Sequence, residues 1–277
     1  MRYRISIAAL TLIAALCACV RAAPAWEDAK YPDFRGQWVR NIGAQWDTSK
    51  PRGVSQQAPY TPEYQTIFEA NLAELNSGGE SYNPQFNCTP GGMPRVMIVY
   101  DPMEVIISPQ TTYLWIQQMG EFRRIYTDGR NWPENPKPAY RGYSIGKWQD
   151  ADGDGRYDTL VVETRNMKGP RTIDADGLPL HKDNRTIVKE RLFLDKTNPD
   201  LMYDEVTIID HALTRPWTVT RSYRRGVNPI WPEDICDEEN RHLVIGNESY
   251  FVSVDGFLMP TRRNQPAPDL RKFENGK

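Results

Sequence analysis

The stretch FRRIYTDGRNWPENPKPAYRGYSIGKWQDADGDGRYDTLVVET, residues 122–164, decides the fold class. It contains three short runs rich in β-branched and aromatic residues: Phe122–Tyr126, Tyr140–Trp148 and Leu160–Thr164. Loops rich in Pro, Gly and Asp separate them, which is the pattern of strands joined by turns. Similar runs continue on both sides. Before it come Asp33–Val39, Val96–Tyr100, Glu104–Ile107 and Tyr113–Gln117; after it come Ile187–Leu194, Met202–Ile209, Trp217–Tyr223 and Tyr250–Val254. Turn pairs such as Ser108-Pro109, Asp176-Gly177 and Asn198-Pro199 punctuate them. Strand and helix do not alternate. These features predict an all-β chain with one or two short helices. It is an antiparallel meander closed as a lipocalin-like barrel, or folded as a β-sandwich. The one clear helix opens at Thr61-Pro62, a capping residue followed by a proline suited to the first helical position. Tyr64, Ile67, Phe68, Leu72 and Leu75 recur at helical spacing, and Gly78-Gly79 ends it.

Residues 1–25 read as a secretory signal peptide: Arg2 and Arg4, an apolar run from Ile5 to Val20, then Ala23-x-Ala25. A second reading is open, because Leu16-Cys-Ala-Cys19 resembles a lipobox and would leave a lipid anchor at Cys19. Either way the chain is exported, to the periplasm or beyond, and carries no membrane span. The expected organisation is this signal, a single barrel domain over 26–259 and a polar C-terminal tail over 260–277. The net charge of −2, made of mixed signs, gives no basis for a nucleic-acid partner. Outside the signal only Cys88 and Cys236 remain, and two cysteines in an exported chain are expected to pair.

The sharpest chemical pattern is Asp150-Ala-Asp152-Gly-Asp154-Gly-Arg156-Tyr-Asp158. Calcium takes six to eight oxygen ligands, and carboxylates at loop positions 1, 3, 5 and 9 with the Arg156 carbonyl at position 7 supply them. The last EF-hand ligand is missing, since position 12 is Val161, and the flanks read as strands. The competing reading is a hydrophilic hairpin loop, because Asp-Gly pairs favour turns without any cation. The three histidines, His181, His211 and His242, form no zinc-hydrolase motif. His181, in a loop before a strand, is a candidate general base with Asp128 or Tyr126 beside it. Arg124, Arg130, Arg215 and Trp217 place guanidinium groups next to aromatics at strand ends, where they suit an anionic or aromatic ligand. The alternative for Arg130 is a pair with Asp128 across the turn.

The strings Asp33-Phe-x-Gly-x-Trp38, Cys88-x-Pro-x-Gly-Met-Pro-Arg95, Arg124-Ile-Tyr-Thr-Asp-Gly-Arg130, Gly142-x-Ser-Ile-Gly-x-Trp148, Asp158–Val162, Leu180-His181 and Thr214–Val219 together resemble a family of exported bacterial proteins with no assigned activity. The resemblance spans most of the chain after the signal. It implies a lipocalin-like barrel and no substrate, and the Asp-rich insert departs from the family's short turn. The expected function is an exported binding protein that holds a small apolar or aromatic molecule inside the barrel, with a calcium-stabilised loop. The rivals are an enzyme on the same barrel, such as an isomerase, cyclase or hydrolase of aromatic or terpenoid compounds, and a structural calcium-stabilised envelope protein.

Overall fold

The computed structural model describes residues 28–271 except 44, 81–82, 99–100 and 170. The expected signal segment, Cys19 and the end of the expected tail lie outside the described residues. Nine strands close into one barrel in sequence order. They are β1 (Gln37–Arg40), β2 (Met103–Ile107), β3 (Thr111–Ile116), β4 (Glu121–Tyr126), β5 (Tyr143–Gln149), β6 (Thr159–Arg165), β7 (Ile187–Leu194), β8 (Leu201–Ile209) and β9 (Trp217–Arg225). Along β4, β7 and β8 burial alternates residue by residue, so one face points inward and the other outward. No helix among the described residues is long and apolar enough to cross a membrane.

The meander is not wholly antiparallel. An odd number of strands cannot close with every neighbour antiparallel, because the direction would fail to match at the last junction. The mismatch is taken up between β4 and β5, which run parallel. That leaves β9 free to pair antiparallel with β1, through Trp38 opposite Arg225 and Arg40 opposite Tyr223. The parallel pair is short, with Ile125 opposite Ser144 and Tyr126 opposite Ile145.

Helix α1 (Pro62–Asn76) starts where expected, with the Thr61 hydroxyl accepting the Tyr64 amide at 3.4 Å. It buries Tyr64, Phe68 and Leu72. A short helix α2 (Cys236–Glu239) carries the chain to a separate three-stranded sheet, β10 (His242–Ile245), β11 (Glu248–Val252) and β12 (Leu258–Pro260). The Tyr250 run expected as a barrel strand therefore belongs to this sheet. Cys88 and Cys236 form a disulfide, with Cα atoms 5.7 Å apart.

The run expected as a strand from Val96 is instead a 3₁₀ turn, Arg95–Ile98, following a cis Met93–Pro94 bond. All four of its residues are buried, so it lacks the alternation of a half-buried strand. It plugs the barrel. The Met97 carbonyl accepts from the Tyr223 hydroxyl at 2.6 Å, and Met97 Sδ lies 3.6 Å from an Arg123 nitrogen. Arg95 is itself buried, donating to Thr172 Oγ1 at 2.7 Å and to the Asp174 carbonyl at 2.9 Å.

This plug and the inward side chains fill the barrel. Leu114, Ile125, Val188, Met202 and Val206 are each 0% exposed, leaving no water-sized space against them. Polar groups cross the same interior. Arg123 pairs with Glu190 through both guanidinium nitrogens and reaches Thr164 at 3.0 Å. Arg221 donates to the carbonyls of Gln45, Trp46 and Gly43. Asp204 faces both arginines and Glu190 with neither carboxylate oxygen hydrogen-bonded. Burial and the Glu190 charge push Asp204 well above the usual carboxylate range. The expectation of an interior ligand is corrected here: protein side chains occupy that space.

Candidate functional site

The barrel wall is weakly paired at the β4–β5 seam, where two residue pairs face each other. The connection from Thr127 to Gly142 leaves the end of β4 and runs back outside the barrel, as a parallel crossing requires. It begins with a tight turn at Asp128-Gly129-Arg130, where Gly129 takes a positive φ of 77°. Arg130 forks onto Asp128, with Nε 2.9 Å from Oδ1 and Nη2 2.6 Å from Oδ2. It also lies 3.7 Å over the Tyr126 ring. The Arg130 side chain holds Asp128 down at about 2. Asp128 and Arg130 thus satisfy each other across the turn. The connection returns at Gly142, whose φ is 66° and where a Cβ would sit 2.6 Å from the Arg165 carbonyl oxygen.

Between the returning chain and β4 lies a cleft of about 440 Å³. Its walls carry four aromatic rings, Phe122, Tyr126, Tyr140 and Tyr143, and three surface cations, Arg124, Arg141 and Lys168. Arg123 reaches the cleft from below, but its charge is spent on Glu190. No carboxylate lines it. Tyr126 and Tyr143 stack at 5.0 Å, and Lys168 lies 5.1 Å from the Tyr140 ring. Arg124 faces the Tyr113 ring at 5.5 Å and is held above its ordinary pKa by the Tyr126 hydroxyl beside it. Arg141 donates to the Phe122 carbonyl, with Glu121 3.6 Å away. Neither Arg124 nor Lys168 has a carboxylate partner among the described residues. Phe122 extends the aromatic surface outward to Tyr113 at 5.0 Å, and Trp115 stacks on Trp231 at 4.6 Å. Four other depressions are larger, about 770, 670, 660 and 600 Å³, and each is lined by both signs of charge. Asp33–Arg35, Asp152–Lys196 and Arg52–Asp176 pairs neutralise three of them locally, so these offer less for a ligand to complement.

The other expected residues lie elsewhere. Trp217 is core, packed 6.3 Å from Trp46, and Arg215 is exposed in the turn before β9. His181 does not meet Asp128 or Tyr126; its carboxylate neighbour is Asp183, at 3.1 Å from Nδ1. His211 Nδ1 lies 2.5 Å from the other Asp183 oxygen. Burial draws Asp183 upward, but the Arg185 amide and the two imidazoles outweigh it and hold the group at about 2.

In the Asp-rich loop, ligand oxygens of Asp150, Asp152 and Asp158 lie within 4.8 Å of one another. Asp154 is turned to the Arg156 amide at 2.8 Å, and the Arg156 side chain reaches the Ala29 carbonyl. Asp150 accepts three loop amides, from Gly153, Asp154 and Gly155, and Asp152 pairs with Lys196 at 2.9 Å.

Sequence reasoning reached Arg124 and Tyr126 but missed Tyr140, Arg141 and Lys168. They join the cleft only because the connection folds back, and no local spacing encodes that. Asp183 was in plain view in Leu180-His181-Lys-Asp183, but its link to His211 needs two strands to bring the loops together. Compared with known proteins, the chain matches no protein-family model and no curated protein.

Proposed function

We propose that this protein is an exported binding protein for a small aromatic anion, such as an aromatic carboxylate, taken up in the seam cleft. The observation that carries this reading is the cleft's lining: stacked tyrosines and three surface cations, with no acid. A planar ring lies against Tyr126 and Tyr143, gaining dispersion and offset stacking. Its carboxylate meets Arg124, whose planar fork suits bidentate contact, with Arg141 and Lys168 alongside. A volume of about 440 Å³ lies within the range of small-molecule sites. The signal-like start and the Cys88–Cys236 bridge support an oxidising compartment.

Titration calorimetry with 4-hydroxybenzoate and with its neutral amide tests the reading. The acid should bind at least tenfold more tightly than the amide, and Arg124→Ala should remove most of that difference without moving the melting temperature. Equal affinity for acid and amide, or an unaffected Arg124→Ala variant, overturns it.

Calcium in the Asp-rich loop is part of the same proposal. The convergence of Asp150, Asp152 and Asp158 supports it, as weak extracellular-type sites are built from such oxygen sets. The bound ion would replace Lys196 as the partner of Asp152 and close the β5–β6 hairpin.

A further inference from the structure

We propose that His181, Asp183 and His211 form a site for a divalent transition-metal ion of the zinc type. The inference does not rest on the seam cleft. The ligand atoms of the three side chains lie within 4.8 Å of one another. Asp183 sits between the rings, one oxygen 3.1 Å from His181 Nδ1 and the other 2.5 Å from His211 Nδ1. Both imidazoles therefore turn the same nitrogen, Nδ1, toward one carboxylate.

Two groups of Asp183 compete for His181 Nδ1. Its Nδ1 accepts the Asp183 main-chain N–H at 3.2 Å and also faces the Asp183 carboxylate at 3.1 Å. The first contact needs a lone pair and the second a proton, and one nitrogen cannot supply both. A metal ion settles it one way: the Nδ1 lone pair and the carboxylate both turn to the cation, and the Asp183 amide gives up its ring acceptor.

The scaffold beneath is rigid and shared. Asp210, buried and adjacent to His211, accepts the His181 amide at 2.9 Å and the Ala212 amide at 2.8 Å with one oxygen. Its other oxygen accepts from the Thr186 hydroxyl, which in turn accepts from Arg171. One buried carboxylate thus fixes the backbone of both histidine-bearing loops relative to each other. The Tyr64 ring packs 5.3 Å from His181 and limits its rotation. Such support beneath the ligands is what holds a metal site in shape.

The donor set selects the ion. Two imidazole nitrogens and one carboxylate suit zinc, copper or nickel and do not suit calcium, which wants oxygen alone. Three protein ligands leave a tetrahedral ion one open position. His211 is 59% exposed, so that position faces solvent.

Calorimetry on chelator-cleared, disulfide-intact protein with zinc chloride tests this. One zinc ion should bind with a Kd in the micromolar range or tighter, and calcium at the same concentration should not compete. His211→Ala and Asp183→Asn should each weaken zinc binding at least tenfold. His242→Ala, which removes a histidine paired with Glu80, and Asp152→Asn in the other acidic group should leave it unchanged. His211 is exposed, so its variant is expected to fold; a thermal melt checks this. Binding should also move the ring-nitrogen resonances of His181 and His211 and not those of His242. No zinc binding at 1 mM, or zinc binding that survives His211→Ala, overturns the proposal.

Discussion

Arg123 and Asp204 show how differently two buried charged residues are treated. Arg123 has its charge matched by Glu190 in a bidentate pair, both side chains essentially inaccessible. Asp204, fully buried, has no hydrogen bond on either oxygen and a pKa pushed well up. Its cheapest state is the protonated one, in which no unpaired negative charge remains. The two acids should respond in opposite ways to neutralisation. Glu190→Gln strands the Arg123 charge in a dry interior and should cost about 3 kcal/mol or more, as loss of one partner from a buried pair does. Asp204→Asn keeps shape and removes only a charge that is already suppressed, so stability should change by less than about 1 kcal/mol or rise. Urea unfolding of the two variants checks this, and equal losses would refute the assignment of Asp204 as the protonated partner.

At the scale of elements, the β5–β6 hairpin carries the loop whose chemistry was easiest to read. Asp150 and Asp158 already organise it by accepting loop amides, while Asp152 is held by Lys196 at the surface. Calcium binding to the folded state should raise the melting temperature as the ion concentration rises. For about 1 kcal/mol of linkage, a shift of roughly 2–4 °C is expected for a chain of this size. Asp152→Asn should abolish most of the shift; Asp154→Asn, whose side chain is turned to Arg156, should leave more of it. A melt that is flat from chelator to millimolar calcium means a plain hairpin. The strands themselves were legible because alternation marks a half-buried face: β7 has the bounds expected from its sequence. Helix α1 was legible from Thr61-Pro62. The plug was not, since Val96–Ile98 is apolar on every side and such a run does not tell strand from turn. The parallel β4–β5 pair was hidden for another reason. Strand direction is set by the path of a connection, and residues 127–142 carry no mark of folding back. The cleft that depends on this path was therefore only half visible, through Arg124 and Tyr126.

For the whole molecule, the Cys88–Cys236 bridge ties the segment leading into the barrel plug to the helix that starts the outer sheet. It closes a loop spanning a sequence separation of 148 residues, which encloses β2 through β9. In the chain-entropy picture its loss should cost between about 2 and about 5 kcal/mol. Paired Cys88→Ser and Cys236→Ser variants should show the loss in denaturant unfolding, and peptide mapping without reductant should recover the linked pair from the oxidised protein. Unchanged stability in the double variant would mean that packing alone seats the plug. The order of the strands has one more effect. β1 is a four-residue strand wedged between β2 and β9, and the Gly226 amide donates back to the Gln37 carbonyl at 2.6 Å. A chain emerging from its N-terminus presents β1 long before β9 exists. Until about residue 225 has appeared, every intermediate is an open sheet with bare edges, and the wall cannot be completed. Closure of the wall is therefore a late event, possible only once β9 can reach back across the molecule to β1.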